Sequence, residues 1–178
     1  MINLAAFEKP IQKFIETSIA SFSQQNPTTK VASFGLFCCP GSGWISIGFD
    51  TKTHSDENVA EFKDQGPEWY GKDDMGEFCN NCPDFEFASF NMVDIPEWVE
   101  EYESGEVMSI IIDDSITKEI DVEEEGDEAL NEVFITFLIK VLKESERQSV
   151  FTNINRESAF RIGVQMLDSE YSEFWVSE

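Results

Sequence analysis

The stretch from Glu128 to Ser145, EALNEVFITFLIKVLKES, places Leu130, Val133, Phe134, Phe137, Leu138, Val141 and Leu142 at steps of three and four. Those steps match the period of an α-helix, so these apolar side chains share one face. An apolar face this wide has to be covered by another layer of structure. It is the strongest helical stripe in the chain, and the rest of the fold is expected to be built against it.

The candidates for that cover follow from the remaining apolar pattern. NLAAFEKPIQKFIETSIASFSQ, from residue 3, predicts a second amphipathic helix through Leu4, Phe7, Ile11, Phe14, Ile15, Ile19 and Phe22. Pro10 should kink it or move its start to about Glu8, and Asn26-Pro27 should end it. VASFGLFCC and WISIGFD are β-rich runs joined by Pro40-Gly41-Ser42-Gly43, the composition of a hairpin loop. Ser55 is the expected N-cap of a short helix through SDENVAEFKD, with Val59 and Phe62 inward. Gly66 to Cys82 reads as irregular, anchored by Trp69 and Tyr70. DFEFASFNM predicts a strand with Phe85, Phe87 and Ser89 on one side. Asp94 is placed to cap IPEWVEEYES, with Pro96 in the first turn, Glu97 at the capping-box position and Gly105 at the end. VMSIIIDD and SITKEIDV read as paired strands across a turn near Asp113-Asp114. SAFRIGVQMLD alternates as a strand, although a helix through Phe160, Val164 and Leu167 also fits. The expectation is one α+β domain over residues 1–178, with an antiparallel sheet of about four to six strands packed by the N-terminal helix and the long helix near 128–144.

Charge bounds the function. The chain has 36 Asp and Glu against 12 Lys and Arg, a net charge of −24. Residues 73–139 hold 21 of the acids and one base, Lys118. Such a field repels nucleic acid and anionic lipid and attracts basic proteins. There is no run of about 18 apolar residues to span a membrane. The N-terminal MINLAAFEKPIQKF lacks the pattern of a secretory leader. A cytoplasmic protein is expected, with no nucleic-acid and no membrane partner.

DVEEEGDEALNE, residues 121–132, invites a metal reading. On the calcium-loop template Asp121, Glu123 and Glu125 take the first three ligand positions, Gly126 the turn and Glu132 the closing position. The chemistry fits less well than the spacing, because Glu is one methylene too long at the third and fifth positions and Glu128 occupies a position that is normally apolar. An acidic run before a helix also complements the positive end of the helix dipole. Cys79 and Cys82 have the spacing of half a zinc site, and Cys38, Cys39 and His54 are the only residues to complete it. Cys38 and Cys39 point to opposite faces of a strand, so at most one could join. A redox role is disfavoured by acidic surroundings, which raise thiol pKa values. His54 is the single histidine and sits in a polar turn, and no glycine-rich phosphate loop precedes a helix. No catalytic residue, no cofactor and no metal ligand is assigned, and the expectation is a protein that is not an enzyme.

The order of elements resembles small bacterial proteins of the domain of unknown function 4303 family. The matching residues are the N-terminal helix with VASFGLFCCPGSGWISIGFDT, and EALNEVFITFLIKVLKESE through SVFTNINRESAFRIGVQMLDSE. The resemblance implies an immunity protein of a polymorphic-toxin system, a cytoplasmic inhibitor that binds the toxic domain of a bacterial effector, often a basic nuclease. The charge points the same way, since a nuclease cleft is basic and a carboxylate surface competes with its substrate. The segment 94–128, with 15 acids and one lysine, is the expected interface. Its candidate contact residues are Asp94, Glu97, Trp98, Glu100, Glu101, Tyr102, Glu103, Glu106, Asp113, Asp114, Asp121, Glu123, Glu124, Glu125, Asp127 and Glu128. Trp98 and Tyr102 are the aromatic candidates for its energetic centre, with core packing as the competing role of Trp98. The rival readings are a metal-binding protein or metal-dependent enzyme using the acidic loop or the cysteines, and a general acidic interaction protein or nucleic-acid mimic.

Overall fold

The computed structural model of the chain describes residues 1–65, 79–105, 107–113 and 116–177, the side chains of 62–65 and 113 excepted. The segment 66–78, with the expected anchors Trp69 and Tyr70, and the expected contact residues Glu106 and Asp114 lie outside the described residues, as do the side chains of Phe62 and Asp113.

The elements run β1 (Ile2–Asn3), α1 (Ala5–Gln25), β2 (Val31–Cys39), β3 (Trp44–Thr51), α2 (Lys52–Gln65), β4 (Phe87–Asp94), α3 (Pro96–Glu103), β5 (Val107–Asp113), β6 (Ile116–Asp121), α4 (Val122–Arg147), β7 (Arg156–Met166) and β8 (Ser172–Val176). They form an α+β fold with two sheets. The larger is ordered β4-β3-β2-β7-β8 and the smaller β1-β5-β6. Most pairings are antiparallel, but β2 pairs β7 and β1 pairs β5 in parallel.

The long stripe becomes α4, which buries Leu130, Val133, Phe134, Phe137, Leu138, Val141 and Leu142. It packs on β7, while β5 and β6 pack on it from the small sheet. On the inner face of the large sheet, Phe34, Leu36 and Cys38 of β2 lie beside Ile45, Ile47 and Phe49 of β3 and Phe160, Ile162, Val164 and Met166 of β7, all buried. Phe22 of α1 stacks on Phe49 with ring centroids 4.0 Å apart. The amide of Asn91 in β4 donates to the Ser18 hydroxyl of α1 at 2.9 Å.

Several local expectations are corrected. α1 starts at Ala5, not near Glu8, and passes through Pro10. Pro10 and Ala6, whose carbonyl loses its helical partner to the proline, are both exposed, so water can replace the missing bond. α2 starts at Lys52, so Ser55 is not its cap: the Ser55 hydroxyl is buried and accepts from the Cys79 amide at 2.6 Å. α3 is preceded by Ile95 with no side-chain cap, so Asp94 does not cap it. Phe85 lies before β4 and covers Gly35 and Gly48 on the outer face, whereas Phe87 meets Phe22 on the inner face. Ser89 has φ 49 and interrupts the alternation between them.

On that outer face Gly163, Gly35 and Gly48 are cross-strand neighbours in a row. A Cβ on Gly163 would overlap the Phe174 ring, and one on Gly35 would overlap Cys82 Sγ. The row of missing side chains lets the 79–86 segment and β8 lie directly on the sheet.

Candidate functional site

The acidic stretch that begins at Asp121 is a helix start. Asp121 Oδ1 accepts from the amides of Glu123 and Glu124 at 3.1 and 3.0 Å, and Glu125 Oε1 accepts in return from the Asp121 amide at 3.1 Å. This reciprocal arrangement satisfies the first free N–H groups of α4. Gly126 then breaks the helix with φ 69 and ψ −173, a combination open only to glycine. Asp121 and Glu125 are thereby committed to capping, and the ligand positions of a calcium loop are not assembled.

The remaining carboxylates fan outward. Glu123, Glu124, Glu125, Asp127 and Glu128 at the start of α4 are exposed, as are Asp94, Glu97, Glu100 and Glu103 around α3, while Glu101 is half-buried and pairs with the N-terminal amine. The Tyr102 hydroxyl donates to Asp127 Oδ1 at 2.9 Å and joins the two groups. That hydrogen bond, with burial and the Asp127 charge adding to it, raises the phenol above its ordinary range. The hairpin loop between β2 and β3 holds α3 in place: Ile95 donates to the Gly43 carbonyl at 2.6 Å, Tyr102 lies against Gly41 and Val99 against Gly43. Lys118, the one base of this region, is paired with Glu132 at 3.1 Å.

Two expected contact residues fall away from this arc. Trp98 has no exposed surface; it is a core residue held edge-on between Phe7 and Phe134 at 5.6 and 4.5 Å. It cannot be an energetic centre of the surface. Asp113 pairs with Ile116 at one end of the β5–β6 ladder, whereas Val107 pairs with Asp121 at the other, so Asp113 is at the far end of the small sheet from the arc.

The cysteines are free thiols, three buried and Cys39 half-buried. Burial raises Cys38 and Cys82 well above the usual thiol range and Cys79 to about 11. Such thiols stay protonated near neutrality and are poor nucleophiles. Among the described residues, no group of three or more His, Cys, Asp and Glu is placed to hold a metal ion.

Sequence reasoning passed over Asp50. It is fully buried at the end of β3, and its Oδ1 accepts from the amides of Thr51 and Glu86 at 3.1 Å and lies 2.8 Å from His54 Nδ1. Its Oδ2 is buried without a hydrogen-bond partner among the described residues. The four-residue spacing from strand end to helix start is the one signal the sequence offered. The carboxylate fixes the imidazole, which is 31% exposed and lines a cleft of about 500 Å³ with Lys30, Glu57, Glu86 and Glu157. The Thr51 hydroxyl in that cleft donates to Glu86.

No helix among the described residues is long and apolar enough to cross a membrane. No family model, curated protein or solved structure matches this chain.

Proposed function

We propose that the chain is a cytoplasmic immunity protein that binds the toxic domain of a bacterial effector, a basic nuclease, and blocks it without catalysis. The observation that carries this reading is the arc of exposed carboxylates set by α3 and the start of α4 on either side of the Tyr102–Asp127 bond, with its one lysine already paired. A basic cleft built for phosphates meets in this arc a dense array of negative charge, and long-range attraction accelerates the encounter. The arc does not need Trp98. Its working members are Asp94, Glu97, Glu100, Glu101, Glu103, Glu123, Glu124, Asp127 and Glu128.

The test is to express the genes that flank this chain's own, identify by growth protection one whose product it neutralises, and measure stopped-flow association with the catalytically inactivated toxin domain of that product. The on-rate is expected to fall steeply with added salt, because the Debye length shrinks from about 10 Å at 0.1 M to about 3 Å at 1 M. A salt-independent on-rate would remove the electrostatic account, and no binding with no protection of growth would remove the immunity reading itself.

A further inference from the structure

The outer face of the five-stranded sheet is covered unevenly. The glycine row lies under Cys82, Phe85 and Phe174, and next to it Gln165 is engaged by Asn81 and the Cys82 amide. Toward the hairpin loop the side chains are larger and partly exposed. Phe37 and Trp44 meet at 5.3 Å with rings 63° apart. Ser46 is the neighbour of Phe37 on one side and of Met92 on the other, and Trp44 lies between Cys39 and Asp94. Met92 is 56% exposed, the largest exposure of any large apolar side chain described on this sheet face apart from Val176 at the far edge.

This strip is small, and scattered exposed apolar residues are ordinary. Its position sets it apart. Trp44 follows directly on the loop that carries Tyr102 and Val99 of α3, and Asp94 belongs both to the strip and to the acidic arc. We propose that Phe37, Trp44 and Met92 form the apolar centre of the surface that receives a basic protein, with Asp94 and the α3 carboxylates as its charged rim.

The proposal rests on the toxin-binding reading and gives it the aromatic anchor that Trp98 cannot supply. Interfaces concentrate their energy in a few aromatic and apolar side chains shielded by a polar rim. The charge of the rim selects the occupant. A second copy of this chain would bring its own arc against the first, carboxylate facing carboxylate, whereas an apolar residue ringed by Lys and Arg satisfies strip and rim together.

Cys39 provides a built-in reporter, because it lies beside Trp44 on the strip and the other three thiols are buried. The experiment uses the full chain and the same inactivated toxin domain in calorimetric titrations, with Met92→Ala and Trp44→Ala, and with the alkylation rate of Cys39 measured free and bound. Each substitution is expected to weaken binding at least ten-fold; Met92→Ala should do so with an unchanged melting temperature, which guards against a Trp44→Ala variant that merely unfolds. Alkylation of Cys39 should slow in the complex. If the complex forms and charge-neutralised variants weaken it while Met92→Ala and Cys39 alkylation are unaffected, the strip is outside the interface and the toxin-binding reading stands. If the domain does not bind at all, both fall. A free chain that dimerises, and that Met92→Ala returns to monomer, would assign the strip to self-assembly and overturn the proposal.

Discussion

Trp98 and Asp50 show how differently two buried residues in one small protein are held. Trp98 has aromatic neighbours on two sides and an indole N–H with no partner among the described residues. Replacing it by Ala opens a cavity in the core and is expected to cost about 3–5 kcal/mol in urea unfolding, the usual range for a buried Trp. Trp98→Phe keeps a ring between Phe7 and Phe134 and discards the unpaired donor, so it should cost distinctly less; equal losses would mean that the N–H is satisfied in solution. Asp50 is held by polar contacts, and burial raises its carboxyl above the ordinary 3.8 although the Glu86 amide, His54 and the Thr51 amide each lower it. The folded chain therefore keeps the Asp50 proton to higher pH than the unfolded chain does. Its contribution to stability is full below the unfolded value and declines as pH rises through the folded one. Asp50→Asn removes that titration, so wild-type stability minus variant stability should fall across this window in urea titrations at successive pH values. A difference that grows with pH would show that the bonds from His54 and the two amides outweigh burial.

At the scale of elements, the glycine row makes a prediction that no single strand would suggest. Gly163→Ala sets a methyl group inside the Phe174 ring, and because β8 is the edge strand, β8 is what has to move. A loss of roughly 1–3 kcal/mol is expected, as for other overpacked sites, with faster amide exchange confined to β8 and its partner β7. Adding Phe174→Ala should recover part of the loss; no recovery would place the strain elsewhere. The full row and its cover were illegible in the sequence: Gly35 and Gly48 meet across the expected β2–β3 hairpin, but Gly163 joins them through a parallel pairing that leaves no local signal. The same holds for β1, whose two residues pair with Ile110 and Ile111. What was legible had a period to reveal it: the α4 and α1 stripes, the β2–β3 hairpin and the alternation of β7. The acidic arc was legible as a count and not as an arrangement. Composition cannot tell that Asp121 and Glu125 cap a helix, or that the aromatic facing outward near α3 is Tyr102 while Trp98 faces in.

Across the whole molecule the charge is polarised as well as large. The acids crowd around α3 and the start of α4, whereas Lys9, Lys140, Lys143 and Arg147, four of the chain's 12 bases, line a groove of about 700 Å³ between α1 and the far end of α4. Lys140 pairs there with Glu8 and Arg147 with Glu144, so carboxylates at that end have nearby cations. The arc has almost none, and its self-repulsion opposes folding. Changing Asp94 to Asn and Glu100, Glu103 and Glu123 to Gln removes four charges whose side chains make no ion pair among the described residues. Only Glu123 sits where a helix dipole rewards a negative charge, a term of about 0.3–1 kcal/mol against the variant. The balance favours the variant: at about 0.01 M salt, where the Debye length is about 30 Å, it should melt above the wild type, and the gap should close toward 1 M, where the length is about 3 Å. The control changes Glu8, Glu16, Glu144 and Glu146 to Gln, which removes the same formal charge from side chains that include three with a basic partner. Its melting temperature should rise less or fall. If both variants gain equally at low salt, only the total of −24 matters. If neither gains, the carboxylates of the arc are too well solvated to strain the fold, and a partner that binds them gains nothing from relieving their repulsion.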